Sequence, residues 1–217
     1  MPSRQNPVLS DANPSWIAGH PAVQRVPSRD LTLFIARDFL SAEECSGLVA
    51  LIDASRRPST IADANGDHYF RTSETCELDA GDPLVAIVEA RLAAFAGIDP
   101  AYGEPIQGQR YAVGQEFKAH TDYFDPKGTD FAKYCGTSGN RTWTLMVYLN
   151  KPEAGGATRF MKIGKTVQPE TGKLLAWNNR LGSGAHNPSS LHHGMKVRAG
   201  VKHVITKWYR ERPWLSS

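Results

Sequence analysis

Tyr111-Ala-Val-Gly-Gln-Glu-Phe-Lys-Ala-His120-Thr-Asp122 is the stretch whose reading decides this chain. Strand side chains alternate with period two, so on a strand His120 and Asp122 project from the same face. The pair His192-His193, about seventy residues further on, can add a second imidazole from a neighbouring strand. Two imidazoles and one carboxylate cover one face of an octahedral ion and leave three positions open.

The surroundings of that stretch read mostly as strands. Residues 106–113 and 117–121 flank a turn at Gly114, and 142–149 alternates with β-branched and aromatic residues. Shorter strands are expected at 157–161, 166–168, 173–177, 190–195 and 202–209. The Gly/Pro/Asp-rich residues 125–140 read as a mobile flap bordering a rigid β scaffold. The first half is different. A short strand at 31–36 precedes Ser41-Ala-Glu-Glu44, a capping box that opens an amphipathic helix to about Ser55, with Leu48, Leu51 and Ile52 on one face. A turn at 63–67 and a strand at 69–75 follow. Asp82-Pro83 starts a second helix to about Phe95. Helices first and many short antiparallel strands afterwards give an α+β chain: a double-stranded β-helix (jelly-roll) core with supporting N-terminal helices. Residues 1–29 hold five prolines and no periodicity, so they read as an extended or flexible arm, with the domain proper at 30–217.

Composition narrows the function class. With 41% apolar and 22% charged residues in 217, the chain can bury a sizeable core. A formal charge of +3 without a Lys/Arg run argues against nucleic acid as a partner. Basic residues do gather near the end (Lys196, Arg198, Lys202, Lys207, Arg210, Arg212), as either a solvated strand face or a site for an acidic small molecule. Cys45, Cys76 and Cys135 have no metal-ligand spacing and fit reduced thiols. No signal-peptide pattern and no membrane-length apolar run is visible, so a cytoplasmic location is expected, with no membrane partner. The oligomeric state is not legible.

His-x-Asp is a common pattern, and its neighbours make it specific. The matching pieces run in order: Phe39-Leu-Ser-Ala-Glu-Glu-Cys45; Arg71-Thr-Ser73; Tyr111-x-x-Gly-x-x-Phe-x-x-His-x-Asp122; Arg141-x-x-Thr-x-x-x-Tyr-Leu-Asn150; Gly155-Gly-Ala-Thr158-x-Phe160; Gly172-Lys173; and His192 through Gly200-x-Lys202 to Thr206-Lys-Trp208. On these the chain resembles the prolyl 4-hydroxylase-like Fe(II)/2-oxoglutarate-dependent dioxygenases over roughly residues 35–212. The resemblance implies His120, Asp122 and His192 as iron ligands. Either of two adjacent histidines can face a metal, but not both, and the family's ten-residue spacing to Lys202 points to His192 over His193. Lys202 would pair with the distal carboxylate of 2-oxoglutarate, while Tyr111 and Thr158 would donate hydrogen bonds to it. O2 is the co-substrate and ascorbate the reductant. Asp122 fills the position where a halogenating relative has none, which favours hydroxylation.

On the substrate side, the resemblance implies Arg141 and Trp208, with Glu104 and Tyr123 as further candidates; Phe124 and Tyr134 border the same flap. The expected reaction is hydroxylation of a prolyl residue in a peptide or protein, with release of succinate and CO2. Three departures from the family pattern (His193, Lys196 and His203) are expected to add polarity beside the cavity. Two other readings stay open: an oxygenase acting on another residue, a free amino acid or a small metabolite, and a non-catalytic β-sandwich binding module.

Overall fold

The structure, a computed structural model, describes residues 23–59, 70–129 and 131–214. Two short strands, β1 (Val23–Arg25) and β2 (Leu33–Ala36), precede helix α1 (Ala42–Ser55). Strands β3 (Arg57–Pro58) and β4 (Glu74–Glu77) lead to helix α2 (Pro83–Ala96). Then come β5 (Gln107–Tyr111), β6 (Phe117–His120), a five-residue helix α3 (Phe131–Cys135) and β7 (Arg141–Tyr148). Five short strands follow: β8 (Ala154–Gly155), β9 (Thr158–Phe160), β10 (Lys165–Val167), β11 (Leu174–Asn178) and β12 (His192–Gly194). The chain ends its sheets with β13 (Val197–Ala199) and β14 (Lys202–Arg210).

These strands make an eight-stranded sheet, β1-β2-β11-β7-β14-β5-β4-β3, facing a four-stranded one, β10-β9-β12-β6, with β13 and β8 pairing apart. All the pairings are antiparallel. This is the α+β double-stranded β-helix expected from the strand pattern.

Period-two alternation sorts the large sheet's residues between two cores. Leu145, Val147, Leu174, Ala176, Ile205 and Tyr209 pack with Leu48 and Ile52 of α1 and Val85, Val88 and Leu92 of α2. Their neighbours Met146, Tyr148, Leu175, Trp177 and Val204 turn the other way and pack with Phe160 between the sheets. Every residue of β14 is therefore buried, with one set under the helices and the other facing the site. The helices sit close: a Cβ on Gly108 would lie 2.4 Å from Ile52 Cγ1, so only glycine fits there. Both helix starts are built as their sequences predict. Ser41 and Glu44 form the reciprocal capping box, and the Asp82 carboxylate accepts from Leu84 and Val85 N–H. Glu44 also pairs with Arg91, at 2.7 Å, which ties α1 to α2.

Some expectations need correction. Residues 125–140 are not a free flap throughout. They contain α3, and Arg210 donates to the carbonyls of Tyr134 and Gly139 while Arg212 donates to those of Cys135, Gly136 and Thr137. Carbonyls left over at a helix C-terminus attract such cations. Val23–Arg25, inside the expected arm, pairs with β2 as an edge strand. The expected strand at 69–75 forms later, as β4; Tyr69, the turn at 63–67, His20 and His68 lie outside the described residues. No described helix is long and apolar enough to cross a membrane.

Candidate metal centre

The β12–β6 pairing sets His192 directly opposite His120, which brings their rings to 4.2 Å between centroids. Packing fixes both rings: His120 stacks on Phe117, and His192 meets the edge of Trp177 at 4.9 Å. The Nδ1 atoms lie 2.7 Å from the Lys118 carbonyl and 2.9 Å from the Ser190 carbonyl. A carbonyl only accepts, so each Nδ1 carries the proton and each Nε2 keeps its lone pair, the tautomer a metal ligand needs. Burial, helped by the neighbouring His192, holds the His120 imidazole well below its ordinary pKa and hence neutral.

Asp122 completes the group, but not in the expected way. Strand β6 ends at His120, so Asp122 lies past the last ladder residue and alternation does not place it. Tertiary contacts do. Thr144 donates to Asp122 Oδ2 at 2.7 Å, and the Asn140 side chain clamps Phe124 N–H and C=O at 2.9 and 2.8 Å. The carboxylate lies 3.8 Å from His120 Nε2 and 4.0 Å from His192 Nε2. Among the described residues, these three form the one group of His, Cys, Asp or Glu side chains able to hold a metal, their ligand atoms all within 4.8 Å. His193 points elsewhere, with Nε2 2.9 Å from Glu116, and so takes no part.

Behind the triad, Lys202, Tyr111 and Thr158 line one small cavity together with His120, Asp122 and His192. The Lys202 ammonium is 2% exposed and lies over the Tyr111 and Tyr148 rings, with no carboxylate in salt-bridge range among the described residues. Burial alone pushes its pKa down to about 7. A buried cation without a counter-charge is costly, and an anion in the cavity would relieve it. Tyr111 OH donates to Gln109 Oε1 at 2.7 Å, and Thr158 Oγ1 accepts from Tyr148 OH at 2.6 Å. The indole N–H groups of Trp177 and Trp208, both on this cavity, have no acceptor among the described residues. The site is thus rich in donors and poor in acceptors, which fits a small dianion beside a divalent cation.

In front of the triad opens a groove of about 540 Å³, lined by Arg71, Glu104, Tyr123, Phe124, Arg141 and Trp208 among others. Arg141 is not a free charge there. It holds Glu104 through Nε and Nη2 at 2.6 and 2.8 Å and stacks on Trp208 at 3.8 Å. Glu104 also accepts from Arg210 at 2.5 Å. Burial works to raise the Glu104 carboxyl, but Arg141 and Arg210 outweigh it and hold it below the usual carboxylate range. Tyr123 stacks on His186 at 4.5 Å. The groove floor is accordingly aromatic and largely charge-compensated.

The three departures do not add polarity at the cavity, contrary to expectation. His193 and Lys196 both turn to Glu116, and His203 faces Asp53 on α1. Gln109, Thr144, Trp177 and Thr206 also line the cavity and were not singled out from the sequence. Counting by twos from Tyr111 and from Lys202 would have found Gln109 and Thr206; nothing in the sequence marks Trp177.

A family model for the 2OG-Fe(II) oxygenase superfamily matches residues 106–210, which carry His120, Asp122, His192, Tyr111, Thr158 and Lys202. This region of the chain belongs to that superfamily. It is 34% identical over 179 residues to prolyl 4-hydroxylase subunit alpha-3 of Rattus norvegicus, covering 80% of this chain and 32% of that one. To subunit alpha-1 of Homo sapiens it is 32% identical over 205 residues, 92% of this chain and 38% of that one. The chain therefore spans about a third of the length of these curated relatives. Among solved structures it is similar to the viral collagen prolyl hydroxylase of Paramecium Bursaria Chlorella virus-1 in its 2OG complex, with TM-score 0.64 and 25% identity over 89% of this chain and 98% of that one. A prolyl hydroxylase of Trichoplax adhaerens, in complex with a hypoxia inducible factor peptide fragment, shares the fold at TM-score 0.60 and 13% identity, over 82% of this chain and 83% of that one.

Proposed function

We propose that this chain is an Fe(II)- and 2-oxoglutarate-dependent dioxygenase that hydroxylates a prolyl residue in a peptide or protein, releasing succinate and CO2. The observation that carries the proposal is a buried, unpaired Lys202 sharing one cavity with the His120, Asp122 and His192 ligand group. His120 and His192 would offer Nε2, and Asp122 a carboxylate oxygen, to Fe(II). The bound metal and 2-oxo acid supply the power to oxidise an unactivated C–H bond with O2. The chain's own part is to hold and orient. Lys202 neutralises the far carboxylate, Tyr111 and Thr158 flank it, and Phe160 and Trp177 keep water from the His192 ring. Outside, Arg141, Trp208, Glu104 and Tyr123 form the wall against which a peptide lies. A proline suits that floor, since it carries no charge and its ring packs on aromatic faces. Ascorbate as the reductant that keeps the iron ferrous belongs to the same reading. So does a reducing cytoplasmic setting, supported by three buried free cysteines.

The test is incubation with Fe(II), ascorbate, 2-oxoglutarate and a library of Pro-containing peptides, followed by mass spectrometry. The expected result is one added oxygen, located on proline, in step with succinate. Oxygen added only to another residue, or only to a free amino acid, would overturn the prolyl assignment while leaving the oxygenase.

Lys202 gives a pH signature. In the unliganded protein its ammonium loses a proton near pH 7, whereas the complex with a dianion favours the charged form. Affinity for 2-oxoglutarate should therefore fall by up to about tenfold per pH unit above 7, with proton uptake on binding. Calorimetry in buffers of different ionisation enthalpy measures both, and Lys202→Met should flatten the profile at a much weaker affinity. Linkage runs in the corresponding direction for folding. The unfolded lysine keeps its proton to about 10.5, so between pH 7 and 10.5 this group makes the unliganded fold more stable as pH rises. Wild-type affinity unchanged from pH 7 to 9 would remove Lys202 from the anion's site.

A further inference from the structure

Beneath the triad, two fully buried side chains that neither the spacing nor the family pattern assigned a role form a continuous chain with Asp122. Asn179 Nδ2 donates to Thr144 Oγ1 at 2.9 Å, and Thr144 Oγ1 donates to Asp122 Oδ2 at 2.7 Å. A hydroxyl has a single proton. Since a carboxylate accepts only, Thr144 must give that proton to Asp122, and its oxygen must then receive one from Asn179. The direction of every hydrogen bond is fixed by this logic.

We propose that Thr144 and Asn179 are positioning residues that decide which Asp122 oxygen is offered to the metal. This rests on the reading of His120, Asp122 and His192 as the metal ligands. Oδ2, 4.0 Å from His192 Nε2, already accepts from Thr144, so Oδ1, 3.8 Å from His120 Nε2, would be the oxygen offered to the metal.

Four features of the structure support a positioning role over ordinary packing. Thr144 and Asn179 are both 0% exposed. Thr144 sits on β7, in the middle of the large sheet, and so gives Asp122, which is beyond its own strand, a rigid anchor. Asn179 itself is held at both backbone groups, its N–H on the Thr142 carbonyl and its carbonyl accepting from Asn187 N–H. Meanwhile Asn179 Oδ1 is buried with no partner among the described residues. A fold selected only for stability gains from an apolar residue here, because an unsatisfied buried carbonyl is unfavourable. The amide is kept for its donor.

The experiment measures anaerobic Co(II) affinity and the Co(II) d–d spectrum, together with melting of the metal-free protein, for wild type, Thr144→Val, Thr144→Ser and Asn179→Ala. The expected result for Thr144→Val is metal affinity weakened by about 10- to 100-fold, the range seen when partners of metal ligands are removed. Its spectrum should change as the second carboxylate oxygen becomes free to coordinate. Thr144→Ser, which keeps the hydroxyl, should stay within about threefold of wild type, and Asn179→Ala should fall between. If Thr144→Val does not fold, the order wild type, Ser, Ala carries the same test. Valine binding Co(II) as wild type does, or serine as weakly as valine, would overturn the relay. Failure of the wild type itself to bind Co(II) would instead strike at the metal centre on which the relay depends.

Discussion

Asp122→Ala abolishes Fe(II)-dependent turnover: the expected loss is at least about a thousandfold, the scale of a catalytic metal that supplies several kcal/mol. The reasoning is local. His120 and His192 remain as two neutral nitrogens whose rings are fixed by backbone carbonyls and by packing on Phe117 and Trp177. Two neutral ligands do not offset the charge of a divalent ion in a buried site, so metal affinity falls along with activity. Folding should survive, because the substitution also removes a buried charge. A melting curve close to wild type, beside lost metal binding, is the expected combination. Undiminished hydroxylation in this variant would rule out the triad.

Glu104→Ala is expected to have the largest effect on stability. Its carboxylate is 7% exposed and serves two guanidiniums, Arg141 and Arg210. Removing it leaves both cations buried with no anion between them, a change that costs about 3–5 kcal/mol. For a domain of this size that corresponds to a fall in Tm of roughly 10 °C. The substrate groove should fail at the same time, since Arg141 would lose the bidentate hold that keeps it flat on Trp208. Peptide KM should rise while 2-oxoglutarate affinity in the folded fraction stays close to wild type, because Lys202 lies in the other cavity. Adding Arg141→Leu to Glu104→Ala should recover part of the stability by removing one orphaned charge. A Tm within 2 °C of wild type, about 1 kcal/mol or less, would show that the buried network is not held together by Glu104.

Local rules made much of this legible in advance. The capping box at Ser41 and Glu44 and the Asp82-Pro83 start delimit both helices, because caps act within one turn of their own residues. Alternation located the long strands, and the spacing from His192 to Lys202 brings a ligand and a cation to one cavity, from strands of opposite sheets. What escaped was short or tertiary. Strands β3 and β8, two residues each, are too brief for any periodicity to register. The helix inside 131–140 is fixed by Arg210 and Arg212, which come from about seventy residues later. Asp122 is the instructive case. Its place beside the two histidines does not come from strand alternation, which ends at His120; a threonine on another strand does the placing. The spacing to Lys202 pointed to His192 over His193, and the physical counterpart, Glu116 holding the His193 ring, is a tertiary contact.

The most direct test of the account is anaerobic calorimetric titration of 2-oxoglutarate into the protein with and without Mn(II) as a redox-inert stand-in for Fe(II). The expected result is one site per chain, affinity that rises by an order of magnitude or more when metal is present, and loss of that enhancement in Asp122→Ala. Weak binding is also expected in Lys202→Met whether or not metal is added. Equal 2-oxoglutarate affinity with and without metal, or no binding at all, would contradict a single cavity in which His120, Asp122 and His192 hold a metal beside the anion that Lys202 awaits.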